Sequence, residues 1–245
     1  MSGSAVVLFD LDDTLMAHRE AVVTGIGRHM RDLAYEGDEA HAATLWHDLE
    51  EEHYHAYLAG DLTFEGQRRA RARAFAAAHG DALDDESAGR WFESYFERYR
   101  ESWSLHADAL PAFAALEQAL HGVRFGVITN GELDFQTAKL ARLGLERRFD
   151  HVVASGAFGA TKPDPSIFRH AVDLFAADAP VALAVYVGDR LRTDAIGAAR
   201  AGLTGVWLNR HAIEPAADER AEAEASGVLE IATLAELAPL LAALA

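Results

Sequence analysis

Residues 5–9 (AVVLF) form a short apolar run, rich in β-branched side chains, that stops at Asp10. A run that is apolar at successive positions, not alternate ones, reads as a strand buried on both faces, the setting of a parallel sheet. Comparable runs recur at 123–128, 151–154, 182–187 and 205–208. Helical patterns separate the later ones. Residues 133–143 are amphipathic and stop at Gly144, a good helix terminator. Residues 165–175 begin with Asp164 as N-cap and Pro165 at the first helical position. Residues 193–201 stop at Gly202. Thr233 and Glu236 make a capping-box pattern before a last helix, in which Pro239 predicts a bend. Strands alternating with helices predict an α/β fold, a parallel sheet with helices on both faces.

Residues 17–106 break the alternation. They contain no convincing strand and read as about four helices, far longer than a usual crossover between strands. The expected organisation is therefore a core of residues 1–16 and 107–245 with an inserted helical domain at 17–106. The chain is expected to return to the core over 105–111. Residues 216–225, charged and Ala-rich, are expected to be an exposed helix or loop.

Composition excludes several function classes. The formal net charge is −17, from 39 acidic and 22 basic residues, and such a surface repels nucleic-acid backbones and anionic membranes. A small anionic substrate remains compatible, because the nearest charges dominate in a pocket. There is no cysteine, so disulfides, Cys-based zinc sites and thiol catalysis are excluded. No signal peptide is visible and no apolar run approaches the ~18 residues of a spanning helix. A soluble cytoplasmic protein is expected.

Four stretches carry chemistry, and three of them follow predicted strands, where open parallel sheets bind ligands. The first holds Asp10, Asp12, Asp13 and Thr14. Asp10 and Asp12 are two apart on a chain expected to be extended, which points both carboxylates to one side. Close carboxylates repel and need a cation or a shared proton. One suits nucleophilic attack, the other proton transfer. The second, Thr129-Asn130-Gly131, offers a hydroxyl and backbone amides to phosphoryl oxygens. In the third, Lys162 lies in a loop stiffened by Pro163 and Pro165, placed to neutralise a carboxylate and a phosphoryl group together. The fourth pairs Asp189 with Asp194, oxygen ligands of the kind Mg²⁺ prefers, although Asp194 also suits a helix cap. Taken singly, each has an ordinary reading as an acidic turn, a strand-to-helix turn, a solvated lysine or a cap.

Together and in this order, the four stretches resemble the haloacid dehalogenase superfamily, over about residues 1–16 and 107–210. The resemblance implies a Rossmann-like core with the helical insert as a cap, and a Mg²⁺-dependent phosphatase that works through an aspartyl-phosphate. It implies Asp10 as nucleophile and Asp12 as general acid and base, with the Asp12 carbonyl on the metal. Thr129, Asn130 and Gly131 would hold the phosphoryl group. Lys162 would steady Asp10 and the phosphate. Asp10, Asp12, Asp189 and Asp194 would form the metal site. Asp13 stands where many relatives carry glycine, and Asp tolerates the tight turn better than most residues.

Dehalogenases of the superfamily form an ester on the same aspartate but lack the second aspartate of the first motif, so Asp12 favours phosphoryl transfer. A phosphomutase and a non-catalytic binding protein are the remaining alternatives. A small phosphorylated metabolite is the expected partner. Residues 128–131, 144–145 and 205–210 are similar to a branch acting on nucleoside monophosphates, the first expected substrates, and to one acting on phosphorylated sugar acids, which with phosphorylated sugars come second. In the insert, Trp46, Trp91, Tyr95 and Tyr99 are either core or a face on which a base stacks. Arg68, Arg69, Arg71 and Arg73 are expected on a solvated face or an anion-binding edge. The many histidines lack the i, i+4 spacing of a helical zinc site.

Overall fold

A computed structural model of the protein describes residues 3–244. The chain divides into two compact units, one running to Ala17 and resuming at Leu105, the other His18–Ser104.

The first unit is built on six parallel strands in the order β3-β2-β1-β4-β5-β6: β1 (Ser4–Phe9), β2 (Arg124–Thr129), β3 (His151–Ala154), β4 (Val181–Gly188), β5 (Thr204–Leu208) and β6 (Leu229–Ile231). This order reverses between β1 and β4, which opens a crevice beyond their carboxyl ends. Phe9 lies beside Val127 of β2 and Val187 of β4, so Asp10 leaves the sheet into that crevice. The unbroken apolar runs are explained by burial on both faces. Val6, Leu8, Ile128 and Tyr186 pack against Ile167, Phe168 and Phe175 of a long helix, Pro165–Asp178. On the other face Phe9 meets Phe113 at 5.3 Å and Phe113 meets Phe125 at 5.0 Å. Each such buried aromatic contributes about 1.5–3 kcal/mol.

Local signals account for most boundaries. Asp164 accepts a hydrogen bond from the Ser166 amide and Pro165 opens the helix. The helix Leu133–Arg142 ends ahead of Gly144 at φ +72°. The capping box at Thr233 and Glu236 is formed. Pro239 falls in the first turn of Leu237–Ala242, where its missing N–H removes no intrahelical bond. The segment 216–225 holds the helix Ala217–Ala225, with no buried residue.

Three elements differ from expectation. β6 is only three residues long, too short to register as an apolar run. The helix Ala109–Ala119 begins inside the stretch read as the return segment, with Pro111 in its first turn. Residues 191–196 form a π-helical turn that leads into the helix Gly197–Arg200, so Asp194 sits within a turn instead of opening an α-helix.

The second unit contains the helices His18–Asp32, Glu39–Leu58, Phe64–Ala78 and Asp85–Glu101. Asp38, Thr63 and Asp84 each cap a helix by accepting a backbone N–H. Trp46 is the centre of this core, fully buried and 4.5 Å from Tyr95, 5.3 Å from Trp91 and 5.4 Å from Phe75. Tyr99 is also buried. These rings fill the core and present no open stacking face. The arginine run is not a uniformly solvated face. The Arg71 guanidinium is buried over Trp46 at 4.3 Å and donates to Glu50 at 3.0 Å, and Arg68 lies over Phe64 at 4.2 Å. Aromatic faces and the half-buried Glu50 carboxylate hold these cations inward. Arg69 and Arg73 pair with Asp85 at the surface. Among the described residues no helix is long and apolar enough to cross a membrane.

Candidate active site

The carboxyl ends of β1 and β4 bring Asp10, Asp189 and Asp194 together. One carboxylate oxygen from each lies within 4.8 Å of the others. Lys162 reaches into this cluster from the loop before the helix Pro165–Asp178. Its Nζ donates to Asp10 Oδ1 at 2.6 Å and to Asp194 Oδ1 at 2.6 Å, and it is 5% exposed. The Asn130 side chain fixes the Lys162 backbone from both sides. Asn130 Oδ1 accepts from the Lys162 amide at 2.8 Å, and Nδ2 donates to the Lys162 carbonyl at 3.1 Å. The Lys162–Pro163 peptide bond is cis.

Two buried carboxylates, Asp10 and Asp194, and the half-buried Asp189 share one ammonium. Burial raises the Asp10 pKa to about 6, with Lys162 opposing and Asp194 adding to the rise. Burial, then Asp194 and Asp10, pushes Asp189 well above the usual carboxylate range. Burial works against the Lys162 charge, but Asp10 and Asp194 outweigh it and hold the ammonium above its ordinary value. The donor set is all oxygen and net negative, so it fits a hard divalent cation. Both Asp194 oxygens are already engaged, Oδ1 by Lys162 and Oδ2 by the Arg190 amide at 3.0 Å. Gly188 has a steric reason to be glycine, since a Cβ there would fall on the Asp194 carboxyl group.

Asp12 does not join this cluster. The chain stops being extended after Leu11. Asp13 adopts φ +58° and donates its amide to the Met16 carbonyl at 2.8 Å. The Asp12 carboxylate instead receives Lys139 Nζ on both oxygens, at 2.7 and 2.6 Å. Thr129 ends β2 and is 2% exposed. The Gly131 amide, expected to serve a phosphoryl oxygen, is already donated to Ser155 Oγ at 2.9 Å. A serine that follows β3 directly competes for it, which the sequence around Gly131 does not reveal.

Three contributing residues were not anticipated. Tyr186, Lys139 and Ser155 carry no motif. Tyr186 sits in the middle of an apolar strand and Lys139 at a position that an amphipathic helix fills with any cation. Arg210 grips Asp108 with two bonds at 2.7 and 2.9 Å and donates to the Thr14 carbonyl at 3.0 Å. It thereby ties the turn after Asp10 to the start of the helix Ala109–Ala119. Met16 and Leu105 are bridged as antiparallel neighbours in the same region.

A pyrimidine 5′-nucleotidase of Escherichia coli is 37% identical over 103 residues, which cover 42% of this chain and 45% of that protein. A glyceraldehyde 3-phosphate phosphatase of Methanopyrus kandleri is 30% identical over 209 residues, 83% of each chain. Against several curated relatives the match spans about half of their length or less. Among solved structures, a putative hydrolase of Bacillus subtilis bound to magnesium shares the fold with a TM-score of 0.77, at 21% identity, over 98% of this chain and 99% of that one. The family profile of the haloacid dehalogenase-like hydrolases matches residues 5–202, and the chain belongs to that family.

Proposed function

We propose that this protein is a phosphatase of small phosphorylated metabolites, with Asp10 as nucleophile. The observation that carries this reading is the Asp10 carboxylate at a strand end, held by Lys162 at 2.6 Å and grouped with Asp189 and Asp194. Asp12 separates it from a dehalogenase, because an alkoxide leaving group needs a proton and a halide does not.

In the first half-reaction Asp10 Oδ attacks phosphorus, the ester P–O bond breaks, and Asp12 gives its proton to the leaving oxygen. In the second, water attacks phosphorus and passes a proton to Asp12. The bond from phosphorus to Asp10 then breaks and inorganic phosphate leaves. Lys162 keeps Asp10 oriented and balances phosphoryl charge. Thr129 and the Asn130 amide bind phosphoryl oxygens, and the Asn130 side chain keeps Lys162 in place. Asp10, Asp189 and the Asp12 carbonyl would hold Mg²⁺, with Asp194 adding charge beside it. When bound, the metal neutralises the carboxylates and the phosphoryl oxygens.

In this reading the substrates are compact phosphomonoesters and not phosphoproteins. Trp46, Tyr95 and Tyr99 are core residues, so none of these three offers a face to a stacked base, and phosphorylated sugars and sugar acids, the second expectation from sequence, stand in this reading ahead of nucleoside monophosphates. The test is phosphate release from a panel containing UMP, dUMP, a hexose phosphate, phosphoglycolate, glyceraldehyde 3-phosphate and p-nitrophenyl phosphate, with Mg²⁺ and with chelator. Turnover of a 2-haloacid, or full phosphatase activity in chelator or in Asp10→Asn, contradicts the reading.

A further inference from the structure

The protein contains two lysines, against twenty arginines, and each lysine is bound to one aspartate of the first motif. Lys162 holds Asp10. Lys139, 1% exposed, holds Asp12 through both carboxylate oxygens, and its ammonium lies 4.7 Å from the centre of the Phe135 ring. A buried ammonium is costly unless it is paired and packed. Where nearly every other cation is a guanidinium, these two positions keep the compact point charge.

Lys139 belongs to the helix Leu133–Arg142, which starts two residues after Gly131. The same rigid element therefore follows the Thr129–Gly131 phosphate loop and carries the group that holds Asp12. We propose that Lys139 is the positioning residue for proton transfer by Asp12. It fixes the carboxylate in one orientation relative to the phosphate loop. The inference rests on the phosphatase reading. Within that reading it assigns the alignment of the acid to a residue 127 positions away from it. Lys139 acts through Asp12, and its substitution changes neither the nucleophile nor the metal ligands.

A leaving-group series tests it. kcat/KM reports the steps through loss of the leaving group, where an alkoxide needs the Asp12 proton and p-nitrophenolate hardly does. In Lys139→Met, kcat/KM for an alkyl phosphate falls by about 10²-fold, while that for p-nitrophenyl phosphate stays within about threefold, and the Mg²⁺ concentration for half-activity is unchanged. In an Asp12→Asn background, Lys139→Met costs nothing further, because the group it aligns is gone. Equal losses across the series, or the same loss with and without Asp12, overturns the inference and leaves a purely structural ion pair. Wild-type alkyl phosphatase activity in Asp12→Asn instead overturns the phosphatase mechanism itself. If Lys139→Met does not fold, Lys139→Arg carries the same comparison, since it keeps the charge but moves it onto a longer planar group.

Discussion

The Tyr186 hydroxyl lies 2.7 Å from Lys162 Nζ, deep in the sheet, and donates its own proton to the Ile128 carbonyl at 2.9 Å. The lysine thus has three oxygen partners, two carboxylates and one neutral hydroxyl, which together direct its ammonium towards Asp10.

Tyr186→Phe removes the neutral partner and leaves the Ile128 carbonyl without this donor. The loss should destabilise the protein by about 1–3 kcal/mol, read as a lowered urea midpoint. kcat should fall several-fold without vanishing, because both carboxylates still hold Lys162. An unchanged midpoint together with unchanged kcat would show that the hydroxyl is dispensable.

Lys162→Met leaves Asp10, Asp189 and Asp194 facing one another without their cation. Breaking a buried pair typically costs about 3–5 kcal/mol. The variant should be far less stable than wild type in chelator, recover part of that loss with Mg²⁺, and show no measurable turnover. Denaturant titrations with and without the metal check this, and an absence of Mg²⁺ rescue counts against a cation site at the three carboxylates.

Asp10 titrates at about 6 in the metal-free protein, above its ordinary value. A raised carboxylate pKa favours the folded state while the proton is bound, and that contribution is lost as pH rises through about 6. Mg²⁺ must displace the proton, so its apparent affinity should strengthen from pH 5 to pH 7, with proton release on binding. Calorimetry in two buffers of different ionisation enthalpy measures both. A pH-independent affinity with no proton release removes Asp10 from the ligand set.

His29 in the helical unit is fully buried, packs edge-on against Trp91 at 4.3 Å, and makes no hydrogen bond through either ring nitrogen. Burial lowers its pKa to about 4. Between about pH 4 and 6.5 the unfolded chain therefore binds the extra proton, and stability should rise with pH over that window by on the order of 2 kcal/mol. His29→Leu should flatten this rise in urea unfolding followed from pH 4.5 to 7. A slope equal to that of wild type places the titrating group elsewhere.

Residues 5–9 and 182–187 show why the sheet and the main site residues were legible in one dimension. Runs apolar at every position, each followed by Asp or Gly-Asp, mark strand and strand end with a local pattern, and in a parallel sheet all such ends lie on one edge. Asp10, Thr129 and Asp189 could be placed there from that rule alone. Caps at Asp164 and Thr233 were readable for the same reason, because a cap is a contact within a few residues.

The partners were decided by tertiary structure. Asp12 reaches Lys139 across 127 residues, Lys162 reaches Tyr186 across 24, and Gly131 gives its amide to Ser155 across 24. No local periodicity encodes such contacts, since a lysine on an amphipathic helix and a tyrosine in an apolar strand each have many ordinary places to point. The aromatic stripe of the helical unit was equally open. Packing resolved it, because Trp46, Trp91, Tyr95 and Phe75 bury most surface against one another and leave no ring face for a ligand. Spacing determined which residues arrive at the strand ends; close packing in three dimensions determined which of them touch.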